Sequence, residues 1–565
     1  YTGTLSSIGG RKSGKFGKNG TIITINQRDG DEDLKILSGD VNLSYSQWHT
    51  INVTGSSAIL NITAVIVNIS GDGFFGEDSG AANIQGSLNT SNTTSLEIPT
   101  INLVGGQLIT KEETTISPKT TLNILGGNIT DYATLRINGT LESGTTNIIK
   151  FKNLIINAGG NLTHATNTDT SAPWEPNAII NLSLSGNLTL NSGGTIHSIG
   201  KGYPLNAGPG SGVATRVGGA YGGLGGNGNG VSAPVYGLIL TPTNLGSGGR
   251  TGDSVGVAGG GAIIINVTGT TLINGTVSSS GLSSGCNSCG SGSGGSVYLI
   301  TNVFTGNGTI TASGGNTPTG SNGGGGGGGR VSIHTTTNTF SGAIASSAGN
   351  GGTTTAGTIS MLASNKANFS AATIQGNLFV GKQLPGVGAI VFTGATAQNY
   401  TNSTFLQNLN DSITITNNFI EVNTTKEPRL NTSASIRLEN VPNVIGLAIL
   451  KNHVDCSTTG TTCQIDPAGN YSKESIHFNV TSFSNYTIGE NATLTLSAPE
   501  DWNNYTTSYV NFNYTFTGNT TELDACNLYG NFSSGTWHLN KTLTDLTPGS
   551  IQNLTVSNIA DGTYI

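Results

Sequence analysis

The chain has 565 residues, of which 86 are Gly and only 9% carry charge, against about 25% in ordinary globular chains. Its net charge of −7 and the lack of any extended basic stripe argue against a nucleic-acid partner. No run reaches the roughly 18 apolar residues that a membrane-spanning helix needs. Low charge with much Gly would suit disorder, but Ile, Val and Thr recur with period two, which points to a folded β protein.

Tyr1 opens the chain without Met or a signal-like apolar stretch, so the expectation is a processed product. Residues 1–45 read as an N-terminal β segment or cap. A small basic cluster, Arg11, Lys12, Lys15 and Lys18, precedes the strand pattern Thr21-Ile-Ile-Thr-Ile. Asp29, Asp31 and Asp33 then alternate, with Asp40 eleven residues after the first. Clustered carboxylates of this kind suit a hard cation, so calcium is a candidate cofactor. Leu34 stands where a calcium loop needs Gly, and a solvated turn is the plainer reading.

Residues 46–395 read as a parallel β-helix, or β-solenoid. Short runs such as Leu60-Asn-Ile-Thr, Leu122-Asn-Ile-Leu, Leu135-Arg-Ile-Asn, Leu154-Ile-Ile and Leu182-Ser-Leu are separated by Gly, Asn and Ser turns. Further on, Gly261-Ala-Ile-Ile-Ile, Gly295-Ser-Val-Tyr-Leu and Gly329-Arg-Val-Ser-Ile stand 34 residues apart (295−261, 329−295). A second short strand pattern follows each: Asn274-Gly-Thr-Val-Ser, Asn307-Gly-Thr-Ile-Thr and Ser341-Gly-Ala-Ile-Ala. A fixed period with two β-runs marks stacked coils. Gly194-Thr-Ile-His-Ser resembles Gly275-Thr-Val-Ser-Ser and ties the earlier strands to these repeats. Inward Val, Ile and Leu are expected to stack, with Thr and Asn in ladders outside.

Three Gly-rich stretches interrupt the solenoid at about 199–258, 281–294 and 314–328. Seven consecutive Gly at 323–329 read as a flexible linker. The alternative is extended polyglycine helices packed side by side, which a chain without Cβ allows.

Near residue 396 Gly thins out. Residues 396–490 read as a compact antiparallel β-sandwich, with Cys456 and Cys463 closing a loop by a disulfide. Cys286 and Cys289 form a CxxC with no βαβ context, so a local disulfide is expected there rather than zinc or redox work. Cys526 has no evident partner.

Asn-x-Ser/Thr sequons number about 30, and each is a glycan acceptor in an exported chain. They include Asn42, Asn52, Asn61, Asn68, Asn89, Asn128, Asn138, Asn161, Asn181, Asn187, Asn266, Asn274, Asn307 and Asn368. Beyond these stand Asn399, Asn402, Asn410, Asn423, Asn431, Asn470, Asn479, Asn485, Asn491, Asn504, Asn513, Asn519, Asn531, Asn540 and Asn553. An extracellular, N-glycosylated protein is the expectation. Sequons are missing from about 190 to 265 and from about 310 to 367. Loops left bare of sugar suit a contact between subunits, so a homo-polymer joined through the Gly-rich corner and the terminal modules is expected.

Residues 491–565 carry Val510-Asn-Phe-Asn-Tyr-Thr-Phe-Thr, Ala525-Cys-Asn-Leu-Tyr-Gly-Asn, Gly535-Thr-Trp-His-Leu-Asn-Lys and Ile559-Ala-Asp-Gly-Thr-Tyr-Ile. These runs resemble the immunoglobulin-like modules of large archaeal surface proteins, and the Gly-rich repeats resemble β-helical segments of prokaryotic adhesins. The resemblance implies a truncated immunoglobulin-like module whose second Cys, the partner of Cys526, lies on a strand after Ile565.

Polysaccharide lyases and hydrolases also use β-helices, but they need paired carboxylates in a groove. Between 160 and 425 the acidic residues are Asp169, Glu175, Asp253, Asp411 and Glu421. His49, His164, His197, His334, His453, His477 and His538 are scattered, and His197 and His334 fall in strand patterns. No catalytic residue is assigned. The expected function is a structural subunit of an extracellular filament, sheath or surface layer. The rivals are a monomeric adhesin stalk and, behind it, a glycan-degrading enzyme.

Overall fold

The computed structural model describes residues 134–363, save 229 and 251–256, and the strands with some of their connections between 3 and 131 and between 373 and 557. The chain forms two compact units. One holds Tyr1–Pro385, Ala389–Asp411 and Asp466–Gly469; the other holds Gly386–Gly388, Ser412–Ile465 and Asn470–Ile565.

The first unit is built from coils of three strands, the first two of which run on as one strand in the later coils. In one coil these are Gln107–Thr110, Thr114–Ile116 and Thr121–Leu125. Each pairs in parallel with its counterpart one coil away: Gln107 with Asn128, Thr114 with Leu135, Thr121 with Thr140. Three columns of parallel strands result, and successive coils stack about 4.8 Å apart. Alternation in the sequence decides which side chains go inside. On the third column Ile101, Leu122, Leu141, Leu162, Ile196, Val277, Ile310 and Ile344 lie in unbroken register, all buried. Each such side chain is worth about 1.5–3 kcal/mol of burial. One position further out, Asn123 donates its amide to Asn102 at 2.8 Å, Asn102 to Asn83 at 2.8 Å, and Asn83 to Asn61 at 2.9 Å. A half-buried amide is thus satisfied by the same residue in the next coil.

The 34-residue repeat is one coil. Ala262 pairs with Ser296 and Ser296 with Arg330, steps of 34 (296−262, 330−296). The likeness between the 194 and 275 stretches is likewise a pairing, Thr195 with Thr276 and Ile196 with Val277. Earlier coils are shorter, 21 residues from Thr100 to Thr121 and 19 from Thr121 to Thr140. The extra length of the later coils is their Gly-rich excursions.

The first coil starts inside the segment expected to be a cap. Asp31–Leu43 turns at Gly39 (φ +76°), pairing in parallel through 33–36 with 50–53 and through 39–43 with 58–62. Only its first part joins an antiparallel cap with Gly3–Ser6 and Ile22–Arg28. Asp31 and Asp33 stand on the first arm of this strand, and Asp40 lies beyond its bend at Gly39. Asp29 and the cluster Arg11, Lys12, Lys15 and Lys18 lie outside the described residues.

Among the described residues the strand pairs of the second unit are antiparallel. Ile413–Thr416, Phe419–Val422, Asn485–Glu490, Leu447–Lys451 and Val454–Asp455 form one sheet in that order. Ala434–Glu439, Ser475–Val480 and Gln464–Ile465 pair beside it, and Phe478 meets Tyr486 across the gap at 6.0 Å. Further on, Thr493–Ala498, Tyr509–Thr517 and Ile551–Ser557 pair together, and Cys526–Gly530 pairs with His538–Leu543. Tyr514 and Leu554 are buried between these two sets, against Leu528 and Leu543. These pairings do not by themselves make either part an immunoglobulin module.

His477 lies in this unit opposite Arg437 on the neighbouring strand. Burial, and then the Arg437 charge, pushes the imidazole down to about 4. The unfolded chain takes up a proton near 6.5 while the folded chain does not, so stability falls as pH drops from about 6.5 toward 4 and then levels off. The loss is about 3 kcal/mol. Urea unfolding of this unit at pH 7 and pH 4 measures it, and His477→Asn should flatten the difference.

Candidate functional site

The 199–258 insertion and the excursions at 281–294 and 314–328 pack against one another at one corner of the solenoid. They are not flexible linkers. Residues 323–329 are all buried, and each successive amide finds a different neighbour. Gly324 donates to Arg216 O at 2.7 Å and Gly327 to Gly219 O at 2.9 Å. Gly325 donates to Gly351 O at 2.7 Å and Gly328 to Thr355 O at 3.2 Å. Gly326 donates to Gly315 O at 2.9 Å and Gly329 to Ala312 O at 2.7 Å. Donors three apart share a neighbouring segment, which is the signature of an extended helix with three residues per turn. The 290–295 segment repeats the pattern. Ser291 and Gly294 donate to Gly324 O and Gly327 O, Gly292 and Gly295 to Leu282 O and Ser279 O, and Gly290 and Ser293 to Arg250 O and Ser247 O.

This helix makes no internal hydrogen bonds. Every N–H must therefore leave the segment, and neighbours must come within reach on three sides. Where a neighbour's carbonyl lies against the Cα, only Gly permits that distance. A Cβ on Gly326 would strike Gly292 O, and one on Gly327 would strike Gly223 O. The packed alternative was legible in the sequence. The preference for flexibility was wrong because a lone glycine run has no partners, whereas here the stacked coils deliver several runs to one place.

The insertion also carries a small core of its own. Tyr203, Tyr221 and Leu245 are fully buried, and Trp174 packs edge-on to Tyr203 at 5.4 Å. Tyr221 lies 4.8 Å from Tyr236 and bonds Ser296 Oγ at 2.6 Å. Tyr236 donates to Leu245 O at 2.6 Å. Burial raises all three phenols, Tyr236 most firmly, so none is placed to give up a proton near neutrality. Arg330, from the coil beneath, donates to Tyr236 O at 2.8 and 3.0 Å and to Thr358 Oγ1 at 3.1 Å. Its guanidinium lies 5.4 Å over the Tyr221 ring. Residues 236–245 cover the first column of the later coils, where Ser332 Oγ donates to Leu240 O at 2.8 Å. Leu240 packs with Leu362, Ala389 and Val391. That cover explains why Ser296–Leu299 is buried on both faces. Sequence reasoning missed this cluster; its signal was three Tyr in a stretch otherwise poor in aromatics.

Cys286 and Cys289 are disulfide-bonded (Cα–Cα 5.6 Å) midway along the 281–294 excursion, and Cys456 and Cys463 (5.7 Å) in the second unit. The His with described side chains, His164, His197, His334 and His477, lie in four separate strands. His334 is buried, 3.1 Å from Ser332 Oγ and edge-on to Tyr298 at 5.1 Å. Among the described residues no three His, Cys, Asp or Glu gather as metal ligands. Glu142 pairs with Lys201 at 3.4 Å, and Glu113 with Arg136. Among the described residues no helix is long and apolar enough to cross a membrane.

Sequon asparagines with described side chains are never buried. Asn187, Asn266, Asn274, Asn307, Asn423, Asn431, Asn479 and Asn553 are exposed, and Asn52, Asn61, Asn138, Asn161, Asn181, Asn485, Asn513 and Asn540 half-buried. Asn274 and Asn307 sit one coil apart, Asn307 N donating to Asn274 Oδ1 at 3.1 Å. Asn181 spends its amide on Thr146 O and Asn540 on Gly530 O. Asn368, Asn399, Asn402, Asn410, Asn470, Asn491, Asn504, Asn519 and Asn531 lie outside the described residues, as do the side chains of Asn42, Asn68, Asn89 and Asn128. The glycine bundle contains no sequon, yet Val213 is 86% and Val231 78% exposed on it. The segments that carry them run close together, a Cβ on Gly230 being blocked by Ala214 Cβ. No protein-family model, curated protein or solved structure matches the chain.

The bundle's dependence on bare backbone is measurable. Gly326→Ala should cost about 3 kcal/mol, as overpacking does, and should strip hydrogen-exchange protection from 216–219, 290–295 and 312–315. Gly285→Ala, at a position with open space around it, should leave both stability and protection unchanged.

Proposed function

We propose that this chain is a structural subunit of an extracellular, N-glycosylated assembly: a filament, sheath or surface layer made of copies of itself. The observation that carries the reading is the pairing of two surfaces. Sequon asparagines line exposed or half-exposed positions on the coils and the second unit, while the glycine bundle has none and presents Val213 and Val231 to solvent. A sugar at the bundle would block close approach; its absence leaves an apolar rim free to bury. The rim stands on a scaffold whose backbone hydrogen bonds are already spent within the chain, so docking orders little that was loose and costs little entropy. Polar ladders and close-packed coils favour a building element, and the resemblance to archaeal surface proteins agrees with it.

The test is electron microscopy of native material together with site-resolved glycopeptide mapping. Ordered polymers with sugars on Asn274 or Asn307 and a bare 199–258 segment are expected. Val213→Asp combined with Val231→Asp should leave folded, glycosylated single particles. Isolated rods from the unaltered protein would instead favour the adhesin-stalk reading. Sugar on the bundle, or polymers unaffected by the double substitution, would remove the rim from the contact.

A further inference from the structure

The insertion leaves the solenoid through 198–201 and returns through 259–262. The two limbs form a seam. Gly261 N donates to Ser198 O at 2.7 Å and Gly202 N to Gly259 O at 2.8 Å. The exit limb is also tied to the next coil, Ser198 N to Ser278 O at 2.7 Å and Gly200 N to Ser280 O at 3.0 Å. Directly beneath lies His164, at the end of the strand Asn161–His164 in the preceding coil and fully buried. Its Nδ1 is 2.8 Å from Ala165 O. A carbonyl can only accept, so that nitrogen carries the proton and Nε2 is left with a lone pair. Nε2 has no hydrogen-bond partner, and it points at Gly261, where a Cβ would collide with it. Thr163 Oγ1, His197 Nδ1 and Ser198 Oγ are also buried there without partners.

The charged groups around this imidazole are few. From the exit limb comes Lys201, whose Nζ donates to His164 O and to Glu142 Oε2. His197, at the end of the strand that leads into the exit limb, also acts on the ring, and Glu142, from the coil below, acts on His197 and holds Lys201. The returning limb, 259–262, is Gly-Gly-Gly-Ala and brings no charge.

We propose that this seam is an acid-operated latch: protonation of His164 opens the root of the insertion and loosens its hold on the solenoid. The proton would go to Nε2, which holds this ring's only free lone pair. It would create an N–H with no acceptor against the backbone of Gly261, and a second cation beside Lys201, with Glu142 already engaged. Opening the seam lets water reach both. Burial, then the Lys201 and His197 charges, holds the closed-state imidazole at about 4, against 6.5 when open. Protons therefore favour the open form as pH falls through that window. The latch goes beyond the assembly reading and needs no partner, so it stands or falls independently of it.

Hydrogen-exchange mass spectrometry on the full chain, corrected for intrinsic exchange, tests it. Between pH 7 and pH 4, protection at 199–202 and 259–261 should fall roughly 100-fold, the shift expected for about two pH units of linkage, while the 149–156 strands stay protected. His164→Asn keeps a donor for Ala165 O but cannot titrate near pH 4; its seam should show no pH response. Lys201→Met removes the neighbouring cation and should shrink the wild-type response. If His164→Asn fails to fold, selectively labelled histidine in the unaltered protein decides the matter: His164 should titrate near 4 in step with shifts at Gly261. Unchanged protection down to pH 4, an equal fall in His164→Asn, or titration near 6.5 would overturn the latch.

Discussion

Every amide must find an acceptor, and in this chain that requirement shapes more than burial of apolar surface does. A buried N–H without a partner costs about 1–3 kcal/mol. The solenoid meets the demand with parallel ladders between coils. The glycine runs cannot, because an extended three-residue helix sends consecutive N–H groups in three directions. They are satisfied only where segments arrive from three sides. The coils provide this by placing the excursions before Ser296 and Arg330 in matching positions, and the insertion supplies the remaining segments. The bundle is thus a consequence of the coil period, and neither part explains its own hydrogen bonds without the other.

Glycine is a poor choice for an ordinary core, since it has no side chain to bury and loses the most backbone entropy on folding. Here the entropy is offset by hydrogen bonds and by backbone packing that any Cβ would prevent. The larger side chains are confined to the places where the bundle meets the coils. Tyr221, Tyr236 and Arg330 lie on that boundary, and so do Leu240 and Leu362. Arg330 is a buried cation that gives its named hydrogen bonds to neutral oxygens and its face to a ring. Such a group is expensive unless fixed in place, so it favours one docking of the cover over the coil and penalises slippage.

Much of the solenoid was legible because its signals are local and repeated. Alternation marked Leu122, Ile124, Leu135 and Ile137 as interior, and the 34-residue spacing equals the step from Ala262 to its partner Ser296. The cap boundary was misplaced because Asp31–Leu43 joins two columns through one bend at Gly39, and an acidic run conceals the apolar alternation of Leu34, Ile36, Val41 and Leu43. Alternate Asp residues suit a loop and a strand equally, and pairing with Asn26 and with Thr50 puts Asp33 on a strand. The glycine bundle was half legible. Its composition permitted packed helices, but the partners of each run are tens of residues away, and nothing within a run reveals them.

His164 belongs to the part that no local pattern could expose. In sequence it is one polar residue ending Asn-Leu-Thr-His, on a strand whose neighbours look alike. Its position matters because 97 residues later (261−164) the returning limb sets a bare Gly261 over its ring. A Cβ there would collide with the ring at Nε2. Gly261 brings the backbone close enough to exclude water, which buries the lone pair and joins the protonation of one ring to the closure of a long insertion. The glycines thus have two consequences with one cause: where chains approach without side chains, amides are satisfied, and any polar atom left between them has nowhere else to turn.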